Sequence, residues 1–289
     1  MTAKVLYGRR ILIAGGAGFV GRALTGHLLS KGADVAWLEP HSVEVPPGIT
    51  LHMGCPPGDY HWPKGTFTDL ILSSSGDNRE PFPQKSISFF EAGISTPFYL
   101  VQWAIKNEVS HIVVLSSGSV YFMDGLSRPG ATLNKLPTFN ESIKYAEELL
   151  LRHFSAYTYL HFIRLFRPYG PGKSTSLVNS AVQRLIEGKP VKLKSPDGPF
   201  IQPTFLDDLA AAVMHLLSIK ESNIIDLAGK ERVTLGEVVR LFGEIAHLTP
   251  TFQLLPEKAR HDREIHGSGI KEIDRLIITP LNQGLKIFL

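Results

Sequence analysis

The sequence is short of the features that usually assign a protein at sight. It holds one cysteine, Cys55, so no intramolecular disulfide can form. A reducing compartment, the cytoplasm, is the expectation. No apolar run approaches the roughly 20 residues that span a bilayer, so no membrane partner is expected. The first residues, MTAKVLYGRRILIAGGAG, place basic groups ahead of an apolar run. ILIA is nevertheless too short for a signal-peptide core and runs straight into glycines. No basic run is interleaved with aromatics, which argues against a nucleic-acid partner. The densest charge cluster, Glu257 to Glu264, mixes signs and reads as a solvated surface. Internal repeats and low-complexity segments are also lacking. A formal net charge of +3 suits an anionic small ligand without requiring one.

What is present is alternation. Ile11–Ala14, Val35–Leu38, Leu70–Ser73, Ile112–Leu115 and Tyr159–Leu165 read as buried strands. Phe19–Ser30, Gln84–Asn107, Asn140–Phe154, Leu177–Glu187, Asp207–Leu217 and Leu235–Ala246 read as helices. Strands alternating with helices imply an α/β fold, a doubly wound parallel sheet of Rossmann type covered on both faces. The Pro- and Gly-rich stretch Val43–Gly65 reads as irregular around one short strand near Leu51. The rhythm loosens after Arg167. Residues 1–167 are therefore expected to form the dinucleotide-binding domain. Residues 168–289 are expected to form a smaller substrate lobe, some of whose segments return to the main sheet.

The segment RRILIAGGAGFVGRAL carries the strongest chemical signal. A strand runs into glycines and then into a helix. Gly15, Gly18 and Gly21 permit a tight turn, close approach of backbone to a ligand, and close helix–sheet packing. The helix start then offers free N–H groups and a positive partial charge to a pyrophosphate. Gly16, Gly18 and Gly21 also fit GxGxxG. Glu39, at the end of the second strand, can hydrogen-bond an adenosine ribose. Its charge opposes a 2′-phosphate, so NAD is favoured over NADP, with Lys31 and His41 near enough to soften that preference.

Five segments resemble the extended short-chain dehydrogenase/reductases, the NAD-dependent epimerases and dehydratases of nucleotide sugars. They are GGAGFVG (Gly15–Gly21), LSSGSVY (Leu115–Tyr121), IRLFRPYGPG (Ile163–Gly172), LIEGKPVKL (Leu185–Leu193) and PTFLDDLAAAV (Pro203–Val213). The resemblance implies a catalytic hydroxyl at Ser117. It implies cofactor contacts at Gly15, Gly18, Phe19, Val20, Gly21, Glu39, Ser73, Ser74, Phe166 and Pro168. A substrate contact falls on Arg167, where the family often has asparagine and where a guanidinium could hold a diphosphate. Arg164 reads instead as one half of a structural ion pair. No metal is implied.

The segment TFNESIKYAEELL, Thr138 to Leu150, departs from the family. Thr138 and Glu141 have capping-box spacing, and Phe139, Ile143, Ala146 and Leu150 fall on one helical face. The family's proton-transfer pair, a tyrosine and a lysine four residues later, aligns with Phe139 and Ile143; a register shifted by one gives Asn140 and Lys144, which restores a lysine and still no tyrosine. A phenyl ring has no proton to give, and a branched alkyl chain carries no charge. The segment therefore reads as a packing helix. Further departures are AGIST (Ala92–Thr96) without the family's asparagine, and SSS at Ser73–Ser75 in place of HxAA.

Three functions remain open on these residues. The chain could be an NAD(P)-linked enzyme acting on a nucleotide sugar or similar small molecule with altered acid–base groups, drawn from Ser117, Ser119, Tyr121, Lys144 and Tyr145. It could be a degenerate member that binds dinucleotide without redox turnover, as a sensor or assembly partner. It could run a non-redox isomerisation or elimination on the same fold. The resemblance also implies a homodimer through the two long helices Gln84–Asn107 and Asn140–Phe154, the first of which carries Phe89, Phe90, Tyr99 and Trp103.

Overall fold

The computed structural model describes residues 6–54, 62–73, 83–123, 138–256 and 262–289. Cys55, Ser74, Ser75 and residues 257–261 of the charge cluster lie outside them. The chain divides into two compact units, Met1–Arg164 with Val213–Ile225, and Leu165–Ala212 with Asp226–Leu289.

The first unit is built on a seven-stranded sheet. Its strands are β1 (Arg10–Ala14), β2 (Asp34–Glu39), β3 (Thr50–Met53), β4 (Asp69–Leu72), β5 (His111–Ser117), β6 (Tyr159–Leu165) and β7 (Asn223–Leu227). Their spatial order is β7-β6-β5-β4-β1-β2-β3. β1 pairs in parallel with β2 and β4, and the β2–β3 and β4–β5 pairs are parallel too. Such strands are buried on both faces, which is why RILIA and DLIL read as continuous apolar runs rather than alternating ones. The doubly wound α/β fold expected from the alternation is the one found.

Helix α1 (Phe19–Ser30) covers the residues expected of it. The expected helix Gln84–Asn107 forms instead as α2 (Ser86–Phe90), a π-turn over Glu91–Ser95, and α3 (Thr96–Lys106). Pro97 explains the interruption. It has no N–H to give to the carbonyl of Gly93, and its ring crowds that carbonyl; a widened turn removes the conflict. From α3, Leu100, Val101 and Ala104 pack with Leu12, Leu70, Ile112 and Phe162 of the sheet. Helix α4 (Phe139–Leu151) begins with the capping box read from the sequence. The Thr138 N–H donates to Glu141 at 2.8 Å, and the Glu141 N–H to the Thr138 hydroxyl at 3.3 Å.

The second unit holds α5 (Leu177–Ile186) and α7 (Leu235–Ala246), while α6 (Leu206–Leu216) has residues in both units. Val178, Val182 and Leu185 of α5 share an apolar cluster with Val238, Val239 and Phe242 of α7. Short strand pairs complete the unit: Val191–Leu193 with Phe252–Leu254, Phe200–Ile201 with Val233–Thr234, and Pro168–Tyr169 with Thr204–Phe205.

Candidate functional site

In the first unit the expected site residues share one edge of the sheet. Gly15 follows β1, Glu39 closes β2, Ser73 follows β4 and Ser117 closes β5. Open parallel sheets bind ligands outside the carboxyl ends of their strands, where the strand order reverses. Here that point lies between β1 and β4.

The glycine loop is held by its own backbone. Gly15 adopts a φ of 84° and donates to Leu38 O at 3.1 Å. The Gly18 N–H donates back to Gly15 O at 3.2 Å, and Gly18 caps α1 without a side chain. Phe19 and Val20 open the helix, so the first-turn amides face an incoming anion with no side-chain competitor. A Cβ at Gly21 would overlap Gly15 O, and one at Gly16 would overlap the buried Trp37 ring. Only glycine lets the turn lie this close to β2.

Glu39 is buried. Its Oε1 accepts the Ala17 N–H at 2.6 Å. Burial pushes its carboxyl above the ordinary range, against the pull of that amide and of the nearby Arg22 guanidinium. The acid expected to reach a ribose is thus also a strut of the loop. Ser73 donates its backbone N–H to Ala14 O at 2.9 Å. Gly15, Gly18, Glu39 and Ser73 line a cavity of about 250 Å³ together with Ala92 and Thr96. In the sequence Ala92–Thr96 stands out only for its missing asparagine, with no sign of a place in the site. Ser74 is outside the described residues.

The packing face of α4 needs correction. The expected stripe was Phe139, Ile143, Ala146 and Leu150. The structure buries Ile143, Lys144, Glu147, Glu148 and Leu151, and leaves Leu149 and Leu150 exposed. Two carboxylates can face inward because their charges are met. The Lys144 Nζ donates to Glu147 Oε2 at 2.8 Å and to Leu115 O at 3.2 Å. Glu148 accepts from the Ser116 hydroxyl, from Arg152 at 2.8 Å, and from both Nε and Nη2 of Arg164. Burial alone would raise the Glu148 carboxyl; Arg164, Ser116 and Arg152 outweigh it and hold the group below the usual range. Burial dominates at Glu147 and pushes it up, with Lys144 opposing. Arg164 also donates to the Tyr121 hydroxyl at 2.9 Å.

Phe139 and Ile143 make apolar contacts. The Phe139 ring meets Phe89 edge-on at 6.3 Å. Ile143 reaches into the π-turn, where its Cγ2 occupies the space a Cβ on Gly93 would need. Three of the other candidate groups are engaged as well. The Ser117 hydroxyl accepts the Ser119 N–H at 3.2 Å, Lys144 is pinned as described, and Tyr121 is held by Arg164. Tyr145 is half-buried on α4. The Ser119 hydroxyl is buried without a hydrogen-bond partner among the described residues.

Phe166, Arg167 and Pro168 belong to the second unit. The Phe166 N–H donates to Leu227 O at 2.9 Å, and Pro168 opens its short strand. Arg167 has a φ of 42°. Its Nε and Nη2 bind both oxygens of Asp262, at 2.7 and 2.6 Å. A diphosphate would have to compete with that carboxylate.

A family model described as the NAD dependent epimerase/dehydratase family matches residues 82–228. No curated protein matches the sequence. Among solved structures, the UDP-glucose 4-epimerase of Thermus thermophilus in complex with NAD superposes with a TM-score of 0.75 at 20% identity, over 96% of this chain and 98% of that one. The epimerase Mth375 of Methanothermobacter thermautotrophicus gives 0.77 at 18%, over 98% and 91%. The UDP-glucuronic acid 4-epimerase of Bacillus cereus, in complex with UDP-glucuronic acid and NAD, gives 0.74 at 15%, over 96% and 97%. At such identities the likeness establishes the fold.

Proposed function

Because the chain belongs to the NAD dependent epimerase/dehydratase family, we propose that it binds NAD at the glycine loop, and a nucleotide sugar or similar small molecule, with the family's usual proton shuttle lost. The observation that carries this is the pair Phe139 and Ile143. One packs on Phe89, the other on Gly93, and neither exchanges a proton. A positioned acid or base contributes typically about 10²–10⁴ in rate, so ordinary family turnover is slowed by at least that range. When bound, NAD would supply the redox chemistry; the loop amides would hold its pyrophosphate, and Glu39 would be placed to meet its ribose.

Two measurements test this. Calorimetry with NAD and NADH should give saturable binding; none at millimolar ligand removes the proposal. A panel of nucleotide sugars should then give little NADH or epimerised product, and rapid turnover would refute the lost shuttle.

A second reading, an active enzyme with altered acid–base groups, is favoured by the buried, unpartnered Ser119 hydroxyl beside Ser117. In that case Ser117→Ala should abolish the residual turnover. The exposed Phe90, Tyr99, Leu149 and Leu150 support the proposal of a homodimer through α2–α3 and α4, which analytical ultracentrifugation tests.

A further inference from the structure

We infer that a cleft at the amino-terminal ends of β5 and β6 binds a small organic cation, an amine with an apolar body, through the Glu108 carboxylate and the rings of Tyr157 and Tyr159. The cleft lies within the first unit, at the opposite end of β5 from Ser117, and does not depend on the dinucleotide reading.

The cleft has a volume of about 470 Å³, more than the 250 Å³ beside the glycine loop. Two segments wall it, Glu108 to Ser110 after α3 and Ser155 to Tyr159 leading into β6. Hydrogen bonds tie these segments together. The Thr158 hydroxyl stands 3.0 Å from both Val109 O and Ser110 O, and the Tyr159 N–H donates to Ser110 O at 3.1 Å. The Tyr159 ring rests on the His111 ring, 5.1 Å between centres. Walls fixed in this way leave little to be ordered when a ligand arrives.

Glu108 is the reason to expect a cation. Helix α3 ends in a Schellman motif: the Val109 N–H donates to Ala104 O at 2.9 Å, and the Glu108 N–H to Ile105 O at 3.1 Å. Glu108 takes the left-handed position, with a φ of 57°. Helices α1 and α5 end in the same way with glycine there, Gly32 and Gly188. A glutamate in that position carries backbone strain that a glycine avoids. It also sets a carboxylate against the negative end of the α3 dipole. Nothing among the described residues offsets either cost. The Glu108 side chain has no hydrogen bond or ion pair there, and Lys106 in the last turn of α3 does not reach it. A bound ammonium would meet the carboxylate and the helix end together.

The remaining lining suits the same ligand. No second charged residue lines the cleft among the described residues. Tyr157 is 72% exposed, and an aromatic face offered to water attracts an ammonium through its quadrupole. Ile105, Val109 and Ala156 give the apolar body something to cover.

Calorimetry on the full chain tests this with phenethylamine, its neutral N-acetyl derivative and phenylacetate. Phenethylamine should bind saturably, about tenfold or more tighter than the N-acetyl derivative, and salt should weaken it. Phenylacetate should not bind. Glu108→Gln should lose about tenfold in amine affinity, and Tyr157→Ala should lose severalfold. Glu108→Gly should abolish amine binding and yet raise the melting temperature, because the strained and unfavourably placed charge is gone. NAD binding should be unchanged in each variant, so failure here is read separately from failure of the dinucleotide reading. Equal binding of the amine and its N-acetyl derivative overturns the inference. So does an amine affinity that Glu108→Gln leaves unchanged, or a lower melting temperature in Glu108→Gly.

Discussion

The Cγ2 methyl of Ile143 fills the space that a Cβ on Gly93 would need. Ile143 lies on α4; Gly93 sits in the π-turn Glu91–Ser95, where Ala92, with Thr96 just beyond, lines the 250 Å³ cavity. The contact joins α4 to the cavity wall.

Gly93→Ala should therefore overpack this joint and cost about 1–3 kcal/mol. Ile143→Ala should cost about 2–5 kcal/mol through the cavity it leaves. The double variant should be less damaged than the sum, because the new methyl enters the vacated space. Urea denaturation of all four proteins measures the coupling; strict additivity would show that the contact carries no energy.

Restoring the shuttle is the complementary experiment. Phe139→Tyr with Ile143→Lys should raise conversion of a nucleotide sugar, read as NADH or as epimerised product, well above the wild type, while either change alone should not. A lysine lacks the branched Cγ2, so Ile143→Lys leaves a methyl-sized gap at Gly93 and lowers the melting temperature slightly. If the double variant binds NAD and stays as slow as the parent, something other than the missing pair limits turnover.

Glu148 is fully buried and holds Arg164, Arg152 and Ser116 together. Arg164→Met removes its principal partner and should cost about 3–5 kcal/mol. Because the folded Glu148 carboxyl lies below its unfolded value, its stabilisation is complete above the ordinary glutamate range near 4.3 and fades as pH falls through the folded value. Acid titration of stability in wild type and Arg164→Met should diverge above that range and converge below it.

His161 makes the opposite kind of site. It is buried on β6, stacked 6.0 Å from His111, and neither ring nitrogen has a hydrogen-bond partner among the described residues. Burial, helped by His111, lowers it from 6.5 to about 4. The groups around the stack are Asp69, 3.4 Å from His111, the Arg9 that pairs with Asp69, and Tyr159 against the His111 ring. The folded state thus binds fewer protons than the unfolded state between pH 4 and 6.5. Stability is full above that window and falls through it by at most about 1.4 kcal/mol per unit. His161→Phe should flatten this slope in denaturation measured between those limits; an unchanged slope would show that His161 does not carry it.

Much of the fold was legible in the chain. Tyr159–Leu165 and Leu235–Ala246 form over the residues that periodicity marked, because a buried parallel strand and an amphipathic helix leave unambiguous apolar patterns. The π-turn was not legible. Pro97 breaks the hydrogen-bond ladder at Gly93, but nothing local says that the break is taken up as a widened turn. The inward face of α4 was misjudged because charge is normally a mark of the surface. Nothing local announces that Glu148 will be met by Arg164, 16 positions later in the chain.

The order of residues alone determined the glycine turn, the strand–helix alternation and the absence of a phenol and an ammonium at positions 139 and 143, since each follows from backbone freedom, periodicity or side-chain chemistry at a single site. Tertiary structure decided which charges are buried, that Glu39 braces Ala17, that Arg22 lies beside them, and that Asp262 holds Arg167. These pairings join residues far apart in the chain, and their energies exist only once the fold has brought the partners within hydrogen-bonding distance.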